Sequence, residues 1–146
     1  MNISRASERA GLTGILAAAA ISLAAFSSAA FGDTIKLTLS GDAEVPPVVT
    51  MAAGSGSITI NPDMTVSGSV TTTGVDATMA HIHVGAKGKN GPVIVPLNKS
   101  GENGWMVPLG AKLTDSQYQA YKAGELYVNI HSAAHKAGEI RGQLVP

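Results

Sequence analysis

The chain has 146 residues, 14% of them charged, with 10 basic side chains against 10 acidic ones and no cysteine. A neutral balance without a basic stripe argues against a nucleic-acid partner, and the length suits one domain. Without cysteine there are no disulfides, thiolate metal sites or cysteine nucleophiles, so any metal must be held by His, carboxylate, Met or backbone groups.

Arg5 and Arg9 open the chain, an apolar run follows from Gly11 to Phe26, and small residues fill Ser27 to Gly32. This is the pattern of a secretory signal peptide cleaved after Ala30 or Gly32. The run is short for a span of roughly 20 residues, and no basic cluster follows to stop transfer. The expectation is a signal over 1–32 and one periplasmic or secreted domain over 33–146, free of the membrane after cleavage. Taking Arg5, Arg9 and Glu8 from the totals of 10 and 10 leaves that domain 8 basic and 9 acidic residues.

Asp33 to Ser40 alternates apolar and polar residues with period two, as a half-buried strand does. It ends at Gly41-Asp42, and the loop Ala43-Glu44-Val45-Pro46-Pro47-Val48 carries paired prolines that bar regular sheet pairing. Ser55 to Ile60 and Thr65 to Thr73 form a hairpin around the turn Asn61-Pro62-Asp63-Met64. Gly54, Gly56, Gly68 and Gly74 suggest bulges or close backbone approach. Met79 to Val84 is the next strand, followed by a flexible loop from Gly85 to Pro92, a short buried strand from Val93 to Leu97, and a polar connection from Asn98 to Gly104. A strand around Trp105-Met106-Val107 comes next. One helix is signalled by a capping box of Thr114 and Gln117, by Asp115 in its first turn and by Gly124 as its stop. Leu113, Tyr118 and Tyr121 would form its inner edge. Glu125 to Ser132 and Glu139 to Val145 close the chain as neighbouring antiparallel strands. Seven or eight short strands with one helix read as an all-β sandwich or Greek-key barrel.

The histidines are His81, His83, His131 and His135. Side chains alternate along a strand, so His81 and His83 leave on one face while Ile82 and Val84 point to the core. Tyr127, Asn129 and His131 likewise share one face of the penultimate strand, and Glu139, Arg141 and Gln143 one face of the last. With the apolar faces packed inward, the polar ones gather His81, His83, His131, Asn129, Arg141 and Glu139. Three imidazoles from two remote segments suit Cu(II) or Zn(II), at N–metal distances of about 2.0 Å. His135 could add a fourth ligand from the turn beyond His131. Met79 shares the histidine face and could serve reduced copper, although a Met beside a β core is more often filler.

Arg141 has two readings: a structural ion-pair partner of Glu139 or Glu125, or a cation at the mouth of the site that draws in a small anion. Asn129 reads as a group that fixes the tautomer of a bound imidazole. Trp105 and Tyr127 read as core or rim residues, and Lys87 and Lys89 as solvated loop charges. Each histidine alone also reads as an ordinary hydrogen-bonded residue. Other chemistries fit poorly. Ser132 and His131 are adjacent strand residues on opposite faces, and Glu125 and Glu139 have no evident carboxylate partner for glycoside hydrolysis.

Leu39-Ser40-Gly41-Asp42-Ala43-Glu44-Val45-Pro46-Pro47, His81-Ile82-His83-Val84-Gly85, Gly91-Pro92-Val93, Gly124 with Tyr127-Val128-Asn129-Ile130-His131-Ser132, and Gly138-Glu139-Ile140-Arg141-Gly142-Gln143-Leu144 follow one another in this order. Together they resemble the CHRD domain, first described in animal chordin and widespread in exported bacterial proteins. The resemblance covers nearly all of 33–146 and implies an immunoglobulin-like or superoxide-dismutase-like β fold; it implies no activity. His81, His83 and His131 match the family pattern. His135 stands where many members lack a histidine, and Ser132 where Thr is commoner. A weaker likeness is to copper–zinc superoxide dismutases, which also combine a strand-borne His-x-His, a later histidine and an arginine near the copper. Their cysteines and long zinc loop are missing here, so the analogy is to a copper-only site. On that analogy copper, with zinc as the alternative, would sit on His81, His83, His131 and His135, and Arg141 would be the catalytic group that attracts superoxide. The expectations are an exported copper-dependent superoxide dismutase, a non-enzymatic copper carrier or sink, or a metal-free structural or adhesion domain. They leave the oligomeric state open.

Overall fold

The structure, a computed structural model, describes residues 30–146, so the expected signal segment lies almost wholly outside the described residues. Among the described residues no helix is long and apolar enough to cross a membrane. The elements are β1 (Asp33–Ser40), a 3-10 turn (Gly41–Ala43), β2 (Ala53–Ile60), β3 (Val66–Thr73), β4 (Ala77–Val84), β5 (Val93–Pro96), β6 (Asn98–Ser100), β7 (Gly104–Met106), α1 (Asp115–Lys122), β8 (Leu126–Ser132) and β9 (Ile140–Leu144). They form one antiparallel sheet in the order β5-β4-β8-β9-β1-β2-β3-β7-β6.

The edge strands β5 and β6 are separated in sequence by Leu97 alone. One short run of chain therefore pairs with β4 at its start and with β7 at its end, and the sheet curls into a nearly closed barrel. The Leu97 N–H donates to the Ala80 carbonyl at 2.9 Å, and Lys99 Nζ donates to the Ala77 carbonyl at 3.3 Å, tying the run to β4. Closure of this kind leaves little sheet edge exposed to pair with another chain.

Alternation sets the core. Ile35, Leu37 and Leu39 of β1 point inward with Ile58 and Ile60, Val70, Ile82, Val128 and Ile130, and Ile140 and Leu144 of the other strands. Each such side chain fully buried contributes about 1.5–3 kcal/mol. The helix caps itself as its sequence predicts. Thr114 Oγ1 accepts from the Gln117 N–H, and the Gln117 side chain accepts from the Thr114 N–H. Its inner side brings Tyr121 into the core, where the hydroxyl donates to Asp33 Oδ2 at 3.2 Å.

The all-β reading with one helix holds, with nine strands in place of seven or eight. The additional strand is β6, which pairs with β7 although all three of its residues are exposed. An apolar pattern cannot signal a strand with no buried face. The glycines of the first hairpin mark close approach rather than bulges. The β2–β3 register runs unbroken, and Gly56 and Gly68 lie so near the facing strand's backbone that a Cβ would not fit.

Candidate metal centre

The site grows from the pairing of β4 with β8. His81 lies opposite Asn129, His83 opposite Tyr127 and Met79 opposite His131. Ala80 and Ile82 of β4 face the core, so His81 and His83 face outward. On β8, Val128 and Ile130 take the inward positions and Tyr127, Asn129 and His131 the outward ones. Yet every residue of β8 is buried, because loops cover the outward face. Polar groups closed off from water need hydrogen-bond partners, and here most of them come from those loops.

His83 Nδ1 lies 2.9 Å from the Gly91 carbonyl, and His131 Nδ1 lies 2.9 Å from the Lys136 carbonyl. A carbonyl only accepts, so both imidazoles carry their proton on Nδ1 and present the Nε2 lone pair. His131 Nε2 then accepts from His81 Nδ1 at 3.0 Å, about the separation of two nitrogens on one ion at bond lengths near 2.0 Å. His83 Nε2 is buried with no hydrogen-bond partner, a condition that costs about 1–3 kcal/mol. The ligand atoms of His81, His83 and His131 all lie within 4.8 Å of one another. Shared by one ion, they would satisfy the orphaned Nε2, and His81 could yield Nδ1 by moving its proton to the other ring nitrogen.

Electrostatics keep His81 and His83 ready. Burial lowers the His81 pKa below its ordinary 6.5, helped by the neighbouring charges of His131 and His83. Burial also lowers that of His83, outweighing the opposite pull of its hydrogen bond to Gly91. Neutral imidazole is the form that binds a metal.

Around the trio lies a stacked and ion-paired surround. The Tyr127 ring lies parallel to that of His83, with centroids 4.8 Å apart, and the Arg141 guanidinium carbon sits 4.0 Å from the Tyr127 centroid. Tyr127 Oη accepts from the Gly91 N–H at 3.0 Å, fixing the loop whose carbonyl orients His83. Arg141 is only 3% exposed and is paired with Glu44 at 3.1 Å. It also donates to the Lys89 carbonyl at 3.0 Å and to Asn90 Oδ1. Asn129 donates its amide to Glu44 and, at 3.1 Å, to the Ile140 carbonyl. Burial raises the Glu44 pKa above its ordinary value, against the opposing pull of Arg141 and Asn129.

His81, His83 and His131 thus meet, as their strand positions predict, while His135 is outside the group. The His135 backbone belongs to the β8–β9 turn, its N–H donating to Ser132 Oγ at 3.1 Å. The ion-pair partner of Arg141 is Glu44, neither Glu139 nor Glu125. Glu139 instead accepts from Thr50 Oγ1 at 2.6 Å. Asn129 supports the Glu44 loop and not an imidazole. Met79 is half exposed, directly across from His131.

Sequence reasoning gave Glu44 no role and left Tyr127 as a rim or core residue. The one signal for Glu44 was an acid set between Ala43 and Val45 ahead of two prolines. The Gly91 and Lys136 carbonyls that set the tautomers have no side-chain signature at all. A family model for the CHRD domain matches residues 35–144. No curated protein and no solved structure matches the chain.

Proposed function

The chain belongs to the CHRD domain family, and from its histidine cluster we propose that it is an exported β protein holding one copper ion on His81, His83 and His131. The observation that carries the reading is the pair of Nδ1-anchored imidazoles, His83 and His131, whose Nε2 atoms converge with His81 where His83 Nε2 has no other partner. An all-nitrogen set accepts copper or zinc, and at equal access Cu(II) binds the tighter. The N-terminal pattern of basic residues, apolar run and small residues supports export.

Metal analysis and paramagnetic resonance on the periplasmic protein, beside H131A, test this. One copper per chain with nitrogen hyperfine structure is expected in the wild type. H131A should lose more than the roughly 10–100-fold in affinity that removal of an outer supporting group costs. Equal copper binding by wild type and H131A, or none by either, rejects the site.

Superoxide dismutation is a second reading, favoured by His81, which is only partly buried and leaves one flank of the trio accessible to a small anion. Copper, when bound, supplies the one-electron chemistry. The chain holds His83 and His131 fixed through Gly91 and Lys136. Arg141, paired with Glu44 beneath the loops, contributes to the stack on Tyr127 together with whatever field its balanced charge leaves. In a cytochrome c assay, turnover no faster than that of free copper would leave the carrier or sink as the function.

A further inference from the structure

Along β4, Ala80, Ile82 and Val84 pack on the core, so Met79, His81 and His83 share the opposite face. Strict alternation would put Ala77 on that outer face too, yet Ala77 is in the core. The reason is a bulge. Ala77 pairs with Ser132 and Met79 with His131, so β4 uses one residue more than β8 over this interval. Thr78 is the extra residue, and its hydroxyl donates to the His131 carbonyl at 3.3 Å, pinning the bulge. Bulges of this kind re-aim a side chain. The one re-aimed here is Ala77, turned into the core, while Met79 keeps the face of His81 and His83 and stands directly opposite His131 of the cluster.

Met79 does not fill the core: it is 48% exposed. Directly opposed residues on neighbouring antiparallel strands have Cβ atoms about 4.5–5.5 Å apart, within reach of a flexible thioether toward the His131 ring. It lies at the accessible flank of the trio, on the strand whose own cluster member at that flank, His81, is the least buried of the three. A thioether is a soft donor that favours Cu(I) and contributes little to Cu(II) or Zn(II).

Resting on the three-histidine reading above, we propose that Met79 is a ligand for reduced copper, added to the imidazoles when the ion is Cu(I) and left free when it is Cu(II). The domain then keeps its ion in both oxidation states, the requirement for a copper carrier that accepts or delivers Cu(I) and for any centre that cycles between the two. It also adds a preference for Cu(I) to the order that the nitrogens set between Cu(II) and zinc.

The test compares wild type with M79L, which keeps the size of an exposed side chain and spares the core. Cu(I) affinity is measured anaerobically by competition with bicinchoninate, and Cu(II) affinity by competition with glycine. The expected result is a loss of about tenfold or more for Cu(I) in M79L, with Cu(II) within about threefold of wild type. X-ray absorption of Cu(I)-loaded wild type should show a sulfur scatterer near 2.3 Å, absent from M79L. Unchanged Cu(I) affinity in M79L, or no sulfur scatterer in the wild type, overturns the role of Met79 while leaving the Cu(II) site intact. Failure of wild type to bind Cu(II) instead overturns the three-histidine reading, and this inference with it.

Discussion

β1 and β8 are both interior strands of one sheet, paired antiparallel on both sides, yet they meet water differently. In β1, Ile35, Leu37 and Leu39 are buried while Lys36, Thr38 and Ser40 between them are exposed. In β8 all seven residues are buried, including Asn129, His131 and Ser132. β1 serves packing on one face and solubility on the other. β8 serves packing on one face and presents polar groups to a covered chamber on the other. Burying such groups is costly unless they are bonded, so the loops over β8 must supply partners. Where they stop short, at Nε2 of His83, which has no partner, and at Nε2 of His131, which meets only His81, the lone pairs are the site's chemistry. In a sheet of this kind, loss of alternation in a polar-faced strand locates a site before any ligand is known.

The sharpest way to break the contrast is to remove the anion that holds the cover down. E44A would leave Arg141 buried without its counter-charge and Asn129 with the Ile140 carbonyl in place of two acceptors. Breaking a buried pair from one side costs about 3–5 kcal/mol. A matching change on the open face of β1, T38A, should stay within about 0.5 kcal/mol. Urea unfolding of the two variants measures the difference. If E44A proves as mild as T38A, the loops are held by something other than this network.

A smaller break comes from Gly138, where the chain turns into β9. Its φ is +129°, and a Cβ there would fall 2.6 Å from the Asn129 amide and 2.7 Å from Glu44 Oε1. G138A should lose about 1–3 kcal/mol. Gly88 provides the control, with a φ of +80° but no atom within 4 Å of an added Cβ. G88A carries the backbone strain without the clash, so its midpoint in thermal unfolding should fall less. Equal losses would show that strain alone, and not the approach of Asn129 and Glu44, requires glycine at 138.

The two strands also differ in how far they can be read from sequence. β1 is legible from Asp33 to Ser40 because water and core demand opposite residues at alternate positions. The inner face of β8 is legible for the same reason, and strand parity places His81, His83 and His131 on outer faces. The cover is not legible. Glu44 and Asn129 are 85 positions apart, and nothing local to either segment signals that they meet. The bulge at Thr78 is hidden too, because Ala77 suits either face. The carbonyls that select the Nε2 lone pairs are backbone, the same in every residue. Strand faces obey local rules, whereas the completion of the site depends on long-range closure.

The mildest test of the comparison uses protons. His81 and His83 have pKa values lowered chiefly by burial, whereas the exposed face of β1 holds no histidine. In the unfolded chain these rings protonate around 6.5, and in the native protein they do so at lower pH. As pH falls, the unfolded state therefore binds protons first, and stability rises with pH across the interval between the two values. The advantage is complete above 6.5 and is lost as pH drops from there toward the depressed native value. Glu44 acts in the opposite sense, because its raised value lets the folded state bind a proton before the unfolded one does, and its interval starts from 4.5. H83F separates the contributions, since a phenyl ring can keep the stack on Tyr127 but does not titrate. In metal-free protein, denaturant midpoints should fall from pH 7 toward pH 5.5 in the wild type and fall less steeply in H83F. A wild-type midpoint that stays flat over that range would mean that the histidine face of β4 is wetter than its burial indicates, and one that rises would mean that Glu44 outweighs the histidines.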